Sequence, residues 1–375
     1  MTTSVPFGSL LSKIIDNRGK TCPTSEAGIP LIATNCIKNE HLYPVYEKVR
    51  YVSQEVYDSW FRGHPEPGDL IFVLKGTPGR VNWVNNPVDF CIAQDMVALS
   101  VDENKVYPKY LFAVLRSSQI QQEIEGLHVG SLIPHFKKSD FDDLQIPLVE
   151  EKLQKYIGDV YFNLSLKIDL LHRQNKTLEA MAETLFRQWF IEEAKEDWED
   201  GTLDQLIDLK YGKALKQEDR SGSGYPVVAS SGIVGFHNDY LVKGPGIVIG
   251  RKGTLGKVYF MEDNFYPIDT SYFIQTKTSG SNLIFEYYLL KSLDFANMNS
   301  DSAVPGLNRN IALGTQIQVP PEELILSFNG TAQPWFSKIH SNTKQIQTLE
   351  KLRDTLLPKL MSGEVRVQYQ TEEVA

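Results

Sequence analysis

Apolar residues change their period along the chain. In residues 1–147 and again in 197–320 they fall in short blocks such as Leu70–Leu74 and Gly246–Ile249, bounded by Gly, Pro and Asp. That pattern predicts the strands and turns of an α/β or β-rich module. After Pro147 the spacing lengthens: Ile157, Leu164, Leu171, Leu178 and Leu185 recur at intervals of seven, with Tyr161, Ile168, Asn175, Ala182 and Trp189 four residues after each. This is the seam of a coiled-coil helix. A shift of 171 residues carries the ladder to Phe328, Trp335, Asn342, Leu349 and Leu356, interleaved with Ala332, Ile339, Ile346, Arg353 and Leu360. Two such helices in one chain bury their seams most simply against each other, antiparallel and about a pseudo-twofold axis. The first is expected to end in the acidic run Glu192–Asp200 and the second at Gly363, a C-terminal glycine. Pro334 removes a backbone donor and crowds the preceding turn, so a kink is expected there, or a regular helix that begins only at Trp335.

The ladder is one part of a longer repeat. KGTPGRV (Lys75–Val81) returns as KGTLGKV (Lys252–Val258), and GSLLSKIID (Gly8–Asp16) as GTLDQLID (Gly201–Asp208). IPLIATNCI (Ile29–Ile37) returns as YPVVASSGI (Tyr225–Ile233), LQIP (Leu144–Pro147) as IQVP (Ile317–Pro320), and TLEAMAETLF (Thr177–Phe186) as TLEKLRDTLL (Thr348–Leu357). The chain is one mixed α/β module and one helix, written twice. The expected boundaries are 1–147 and 197–320 for the modules, 148–196 and 321–363 for the helices, and 364–375 for a tail.

Composition narrows the class. The chain has 375 residues, 42% of them hydrophobic and 11% aromatic, enough to bury more than one core. The longest apolar run, Tyr110–Leu115, is far too short to span a bilayer, and the start MTTSVPFGSLLSK lacks the order of a signal peptide. A soluble, cytoplasmic protein is expected. Cys22, Cys36 and Cys91 are odd in number and show no CxxC spacing, which predicts buried free thiols rather than disulfides or a zinc site. The net charge is −9, yet Lys+Arg and Asp+Glu balance at 11 each in residues 201–320 while 151–200 carries 7 against 11. A neutral segment can still present a basic face to nucleic acid.

Catalytic motifs are missing. A DNA methyltransferase needs a glycine-rich cofactor loop and an Asn-Pro-Pro-aromatic motif to hold a flipped base. Asn86-Pro87-Val88-Asp89 lacks the second proline and the aromatic, and reads as a turn. A P-loop would need a hydroxyl after Gly256-Lys257, where Val258 stands, and a glycine where Arg251 stands. Glu150-Glu151-Lys152, with Asp143 upstream, opens a helix and reads as capping charge rather than a nuclease cluster. The seven histidines form no HxxxH or HxH pair, so no metal is expected.

Two variable modules alternating with two related helices resemble the specificity (S) subunit of type I restriction-modification enzymes. The likeness covers the whole chain apart from the last few residues, most specifically in LLPKLMSGEVRV (Leu356–Val367), TLFRQWFIE (Thr184–Glu192) and the paired KGTxG[RK]V segments. It implies target-recognition domains that read the two halves of a bipartite double-stranded DNA site. It further implies helices that set their spacing and dock two methyltransferase subunits, with restriction subunits joining through them. S-adenosylmethionine and ATP would then bind partner subunits, and no cofactor this chain. A scaffold protein with a coiled coil and no role on DNA is the alternative, but it has no reason to place cations in equivalent loops.

Recognition chemistry is the remaining candidate. In the repeated turns the glycines read as scaffold, while Lys75, Thr77, Arg80, Arg251, Lys252, Thr254 and Lys257 offer phosphate-pairing groups. Because the segment is nearly the same in both modules, it cannot carry base specificity. Lys137, Lys138 and Arg309, in the loops Gly130–Lys138 and Ala303–Asn310, are further phosphate candidates. Base readout is expected where the modules differ: Asn35, Lys38, Asn39, His41 and Tyr43 in the first, Ser230, Ser231, His237, Asn238 and Tyr240 in the second. Phe186, Trp189 and Phe190 place rings on more than one helical face, and read either as partner docking or as packing on the chain's own module.

Overall fold

In the computed structural model, residues 3–17, 19–127, 134–195, 198–295 and 306–365 are described. The first module contains β1 (Thr3–Pro6), β2 (Leu11–Asp16), β3 (Ile29–Ile32), β4 (Arg50–Val52), α1 (Gln54–Trp60), β5 (Leu70–Val73) and β6 (Val81–Trp83). It continues with β7 (Cys91–Ile92), β8 (Met96–Val101), α2 (Pro108–Leu115), α3 (Ser118–Gly126) and β9 (Gln145–Leu148), before the long helix α4 (Glu151–Arg187). The second contains β10 (Glu199–Thr202), β11 (Ile207–Tyr211), β12 (Tyr225–Ala229), β13 (Gly232–His237), β14 (Gly246–Gly250) and β15 (Val258–Met261). After these come β16 (Tyr266–Pro267), β17 (Ser271–Thr276), α5 (Ile284–Ser292), α6 (Arg309–Leu313), β18 (Gln316–Val319) and the second long helix α7 (Glu322–Ser362).

Sheet topology repeats strand for strand. The four-stranded sheet is ordered β2-β8-β5-β6 in the first module and β11-β17-β14-β15 in the second; the three-stranded sheets are β4-β3-β7 and β13-β12-β16. In each of the latter the central strand pairs antiparallel on one side and parallel on the other. Alternation along β5 explains why its residues are apolar on both faces: Leu70 and Phe72 enter the cluster under α2, whereas Ile71 and Val73 enter a second cluster with Ile32, Phe90 and Ile92. In the second module Ile247 and Ile249 point to the α5 side and Val248 to the opposite one. Cys22, Cys36 and Cys91 are free and buried, as their spacing predicts.

The chain divides into two compact units, Met1–Arg173 with Thr343–Ala375, and Gln174–Asn342, so each module carries a portion of both long helices. Within the first unit Ile157 and Tyr161 pack with Leu357 and Leu360, and further along Ile168 and Leu171 meet Ile346 and Leu349. Numbers rise on one helix as they fall on the other, the antiparallel arrangement expected. Leu164 and Leu356 line the same seam. Within the second unit Ala182 and Phe186 pack with Phe328, Ala332 and Phe336, while Leu185 and Trp335 lie half-buried against this cluster. Leu178 and Ile339 are also half-buried. Asn342, fully buried, donates to Gln174 and Asn175, each at 2.8 Å, so a polar layer interrupts the apolar seam. This packing fits a coiled coil.

One helix boundary departs from expectation. α7 begins at Glu322 and continues through Pro334, so its regular part does not wait for Trp335. Pro334 is exposed, and the carbonyl it leaves without a donor belongs to Gly330, which has no side chain to crowd the ring. α4 ends in a wider turn, Gln188–Glu192, where the acidic run begins. Gly363, with φ +75°, closes α7 in the left-handed conformation expected of a C-terminal glycine.

Candidate nucleic-acid interface

Each KGTxG[RK]V segment joins two antiparallel strands, β5 to β6 and β14 to β15. Its glycines supply left-handed backbone: φ is +87° at Gly76 and Gly79, +81° at Gly253 and +69° at Gly256. The ring of hydrogen bonds is the same in both. Gly79 N–H donates to Val73 (3.0 Å) and Gly256 N–H to Gly250 (2.9 Å), while Leu74 and Lys75 both donate to Asp95, as Arg251 and Lys252 both donate to Thr270. The glycines are scaffold.

The second loop of each module docks on this turn. Lys75 bridges to His135 and Lys252 to Gly306, with Phe136 N–H bonded to Leu74 (2.7 Å) and Leu307 N–H to Arg251 (2.9 Å). Residues 130–133 and 303–305 of these loops lie outside the described residues. Two segments that the sequence singled out separately thus form one surface per module. On it Lys252, Thr254, Lys257 and Lys137 are exposed and Lys75 and Thr77 half-exposed.

Three of the ten expected phosphate contacts are committed elsewhere. Arg309 pairs with Asp208 and donates to the Leu209 carbonyl (2.7 Å), and Asp208, with Lys210 as well as Arg309 beside it, is held below the usual carboxylate range. Lys138 pairs with Asp16. Arg251 lies against the Tyr211 and Tyr272 rings, 4.9 and 5.6 Å from their centroids, and donates to Asp269. Arg80 keeps a long contact to the Ile37 carbonyl (3.5 Å). Lys257, exposed, has its ammonium 5.3 Å from the Tyr259 ring centroid.

The readout candidates separate in the same way. In the second unit an open groove of about 570 Å³ is lined by Ser230, Ser231, Lys252, Gly253, Gln217 and Arg220. It brings the repeated turn beside the β12–β13 turn, so phosphate-type and base-type candidates share one concavity. Ser231, Asn238 and Tyr240 are exposed, Tyr240 edge-on to Tyr225, whereas Ser230 is buried and His237 half-buried against Tyr266. In the first unit Asn35 is exposed, though its amide bonds Glu47 (2.6 Å). The others serve the fold: Lys38 pairs with Glu47 at 2.7 Å, Asn39 accepts from Val81 (2.9 Å), His41 lies against His172, and Tyr43 packs on the core. Burial, with His172 close by, lowers the His41 pKa.

Sequence reasoning missed the residues that hold these loops. Asn82, buried on β6, donates to the carbonyls of Lys38 (2.9 Å) and His41 (2.7 Å) and accepts from Lys38 N–H (3.1 Å). The matching position on β15 is Tyr259, whose hydroxyl donates to the Ser230 carbonyl at 3.2 Å. One signal was available: both stand two residues past the last basic residue of the repeated turn. Arg220 and Gln217, on the groove wall, carried none.

Phe186 packs within the chain's own module. It is buried in the core of the second unit among Phe285, Tyr288 and Phe328, and Phe190 and Trp189 lie half-buried on the same cluster. Their spread over several helical faces reflects packing on the module as well as on α7. Glu151 stands in the first turn of α4 and pairs with Lys155, as capping charge should. Among the described residues no helix is long and apolar enough to cross a membrane.

Comparison with known proteins agrees with this architecture. Residues 16–180 and 195–327 match the family described as type I restriction modification DNA specificity domain. The type I restriction enzyme MjaIX specificity subunit of Methanocaldococcus jannaschii is 23% identical over 381 residues, covering 91% of this chain and 87% of that protein. The MjaVIII specificity subunit of the same organism is 22% identical, covering 74% and 75%. The crystal structure of a type I restriction-modification S subunit from M. genitalium superposes with a TM-score of 0.63 at 21% identity over 96% of each chain, a likeness of fold. With the family match spanning most of its length and falling on both modules, the chain belongs to the type I restriction-modification DNA specificity family, whose members are the non-catalytic subunits that supply recognition of DNA sequence.

Proposed function

We propose that each module reads one half of a bipartite DNA target. The repeated turn holds the phosphate backbone through Lys75, Thr77 and Lys137 in one module and Lys252, Thr254 and Lys257 in the other. Ser231, Asn238 and Tyr240 address base edges in the second module, and Asn35 in the first. The observation that carries this reading is the groove in the second unit, where Lys252 and Gly253 of the turn adjoin Ser230 and Ser231. Position and readout need to lie side by side, because a base contact has meaning only in a fixed register on the duplex. The long helices hold the spacing of the two half-sites and carry the docking surface for two methyltransferase subunits, through which restriction subunits join. S-adenosylmethionine and ATP bind those partners.

Co-expression with a type I methyltransferase subunit, followed by methylation mapping, tests the reading. A bipartite target with a nonspecific gap is expected; methylation at a continuous site would refute it. Four residues added to both helices at the level of Asn175 and Asn342 should lengthen the gap by one or two base pairs, since the insertion adds about 6 Å and one base pair occupies about 3.4 Å. The isolated chain should give no saturable binding of S-adenosylmethionine in calorimetry.

A further inference from the structure

The first unit contains a pocket of about 340 Å³ between the end of α2, the N-terminus of α3, Tyr161 of α4, the C-terminal part of α7 and the Asn39–Glu40 loop. Two arginines form its wall. Arg116, at the end of α2, is 8% exposed and Arg353, on α7, is 6% exposed. Arg116 spends one nitrogen, Nη2, on the carbonyls of Lys38 (3.2 Å) and His41 (2.5 Å), and its Cζ lies 4.7 Å from the Phe112 ring centroid. Among the described residues its Nε and Nη1 have no hydrogen-bond partner, and the Tyr161 hydroxyl is the polar group of α4 that lines the pocket beside it. Arg353 pairs through Nε and Nη2 with Asp354 (2.8 and 3.3 Å), and its Nη1 has none.

Buried donors without partners are costly, more so when charged, so these nitrogens are set to accept an anion. Burial weakens the hold of Arg116 on its proton, and repulsion from Arg353 adds to this against the opposing pull of the Tyr161 hydroxyl. Asp354, with the half-buried Glu350 behind it, strengthens the hold of Arg353 on its proton despite burial, but Asp354 is largely exposed and committed to Arg353, and Glu40, the acid near Arg116 at the rim, is exposed. Ser117 caps α3, accepting from Ile120 N–H, so the positive end of that helix also opens on the pocket beside the Ser118 hydroxyl.

We propose that Arg116, Arg353 and the N-terminus of α3 form a binding site for a small tetrahedral oxyanion of the phosphate class, present in the first unit alone. Planar guanidinium forks match such an anion, and the pocket is at the small end of ligand-site volumes. The repeat supplies an internal control. The position matching Arg353 is Ala182 and that matching Arg116 is Lys291, exposed and set over Tyr287 and Tyr288. The same frame in the second unit therefore has neither buried guanidinium.

Titration calorimetry of the full chain with inorganic phosphate, at constant ionic strength set with chloride, tests the site. One saturable phosphate per chain is expected, with the Arg353→Lys variant binding at least about tenfold more weakly because it keeps charge but loses the fork. Arg353→Gln should abolish binding, and Ala182→Ser, at the matching position of the second unit, should leave it unchanged. No saturable heat with the wild-type chain overturns the proposal without needing any variant. Unchanged phosphate affinity in a folded Arg353→Gln chain, shown by circular dichroism, overturns it as well.

Discussion

The two modules share a frame and differ in what they hang on it. At matched positions the first has Asn82 where the second has Tyr259, Leu357 where the second has Phe186, and Arg353 where the second has Ala182. Asn82 holds a loop at three points, and Arg116 grips the same loop through two further carbonyl contacts, leaving Asn35 as its exposed candidate. Tyr259 touches the β12–β13 turn once, and that turn keeps Ser231 exposed beside an open groove. The repeated turn, nearly identical in both, cannot distinguish sequences; the strand that follows it decides how the neighbouring loop is presented. On the reading proposed above, a duplicated fold can diverge in specificity without changing the part assigned to the DNA backbone.

The largest effect expected from this contrast is in the cores. Phe186→Ala should cost the second unit about 3–5 kcal/mol, and Leu357→Ala, at the matching position, about 2–5 kcal/mol in the first. Thermal unfolding of each variant measures this, and a stable Phe186→Ala chain that failed only to bind methyltransferase subunits would return that ring to a docking role. Next comes the loop anchorage. Asn82→Ala leaves the Lys38 amide without its acceptor and takes one of two donors from each of the Lys38 and His41 carbonyls, which Arg116 still meets, and should cost about 1–3 kcal/mol, against about 1 kcal/mol for Tyr259→Phe. Denaturant titration resolves the pair, and equal costs would remove the proposed difference in loop restraint. The smallest effect is on affinity. Replacing Lys252 and Lys257 with Ala should lower the slope of log affinity against log salt by about 0.9 for each lost phosphate contact, equally for all sequences. A changed sequence preference at constant slope would move these cations to base readout.

Much of this was legible because it is written locally. The heptad ladder and the repeated turns depend on spacing within one segment, and both the helix pairing and the doubled sheet topology followed from them. What was not legible depends on partners distant in sequence. Lys138 and Arg309 read as free cations until Asp16 and Asp208, 122 and 101 residues away, are brought to them. Arg353 occupies a slot of the ladder that its period marks as apolar, and its burial follows from Tyr161 on the facing helix. Phe186 read as surplus to a two-helix seam because the ladder says nothing of α5, against which it packs.

The independence of the two modules is the central claim, and exchange of one module tests it most directly. Residues 1–147 are replaced by the matching segment of a related specificity subunit, the chimera is co-expressed with the methyltransferase subunit, and methylated sites are mapped across the genome. One half of the target should change to that of the donor, with the other half and the gap unaltered. A change in both halves would contradict the account, because the modules would then read DNA jointly rather than each for itself.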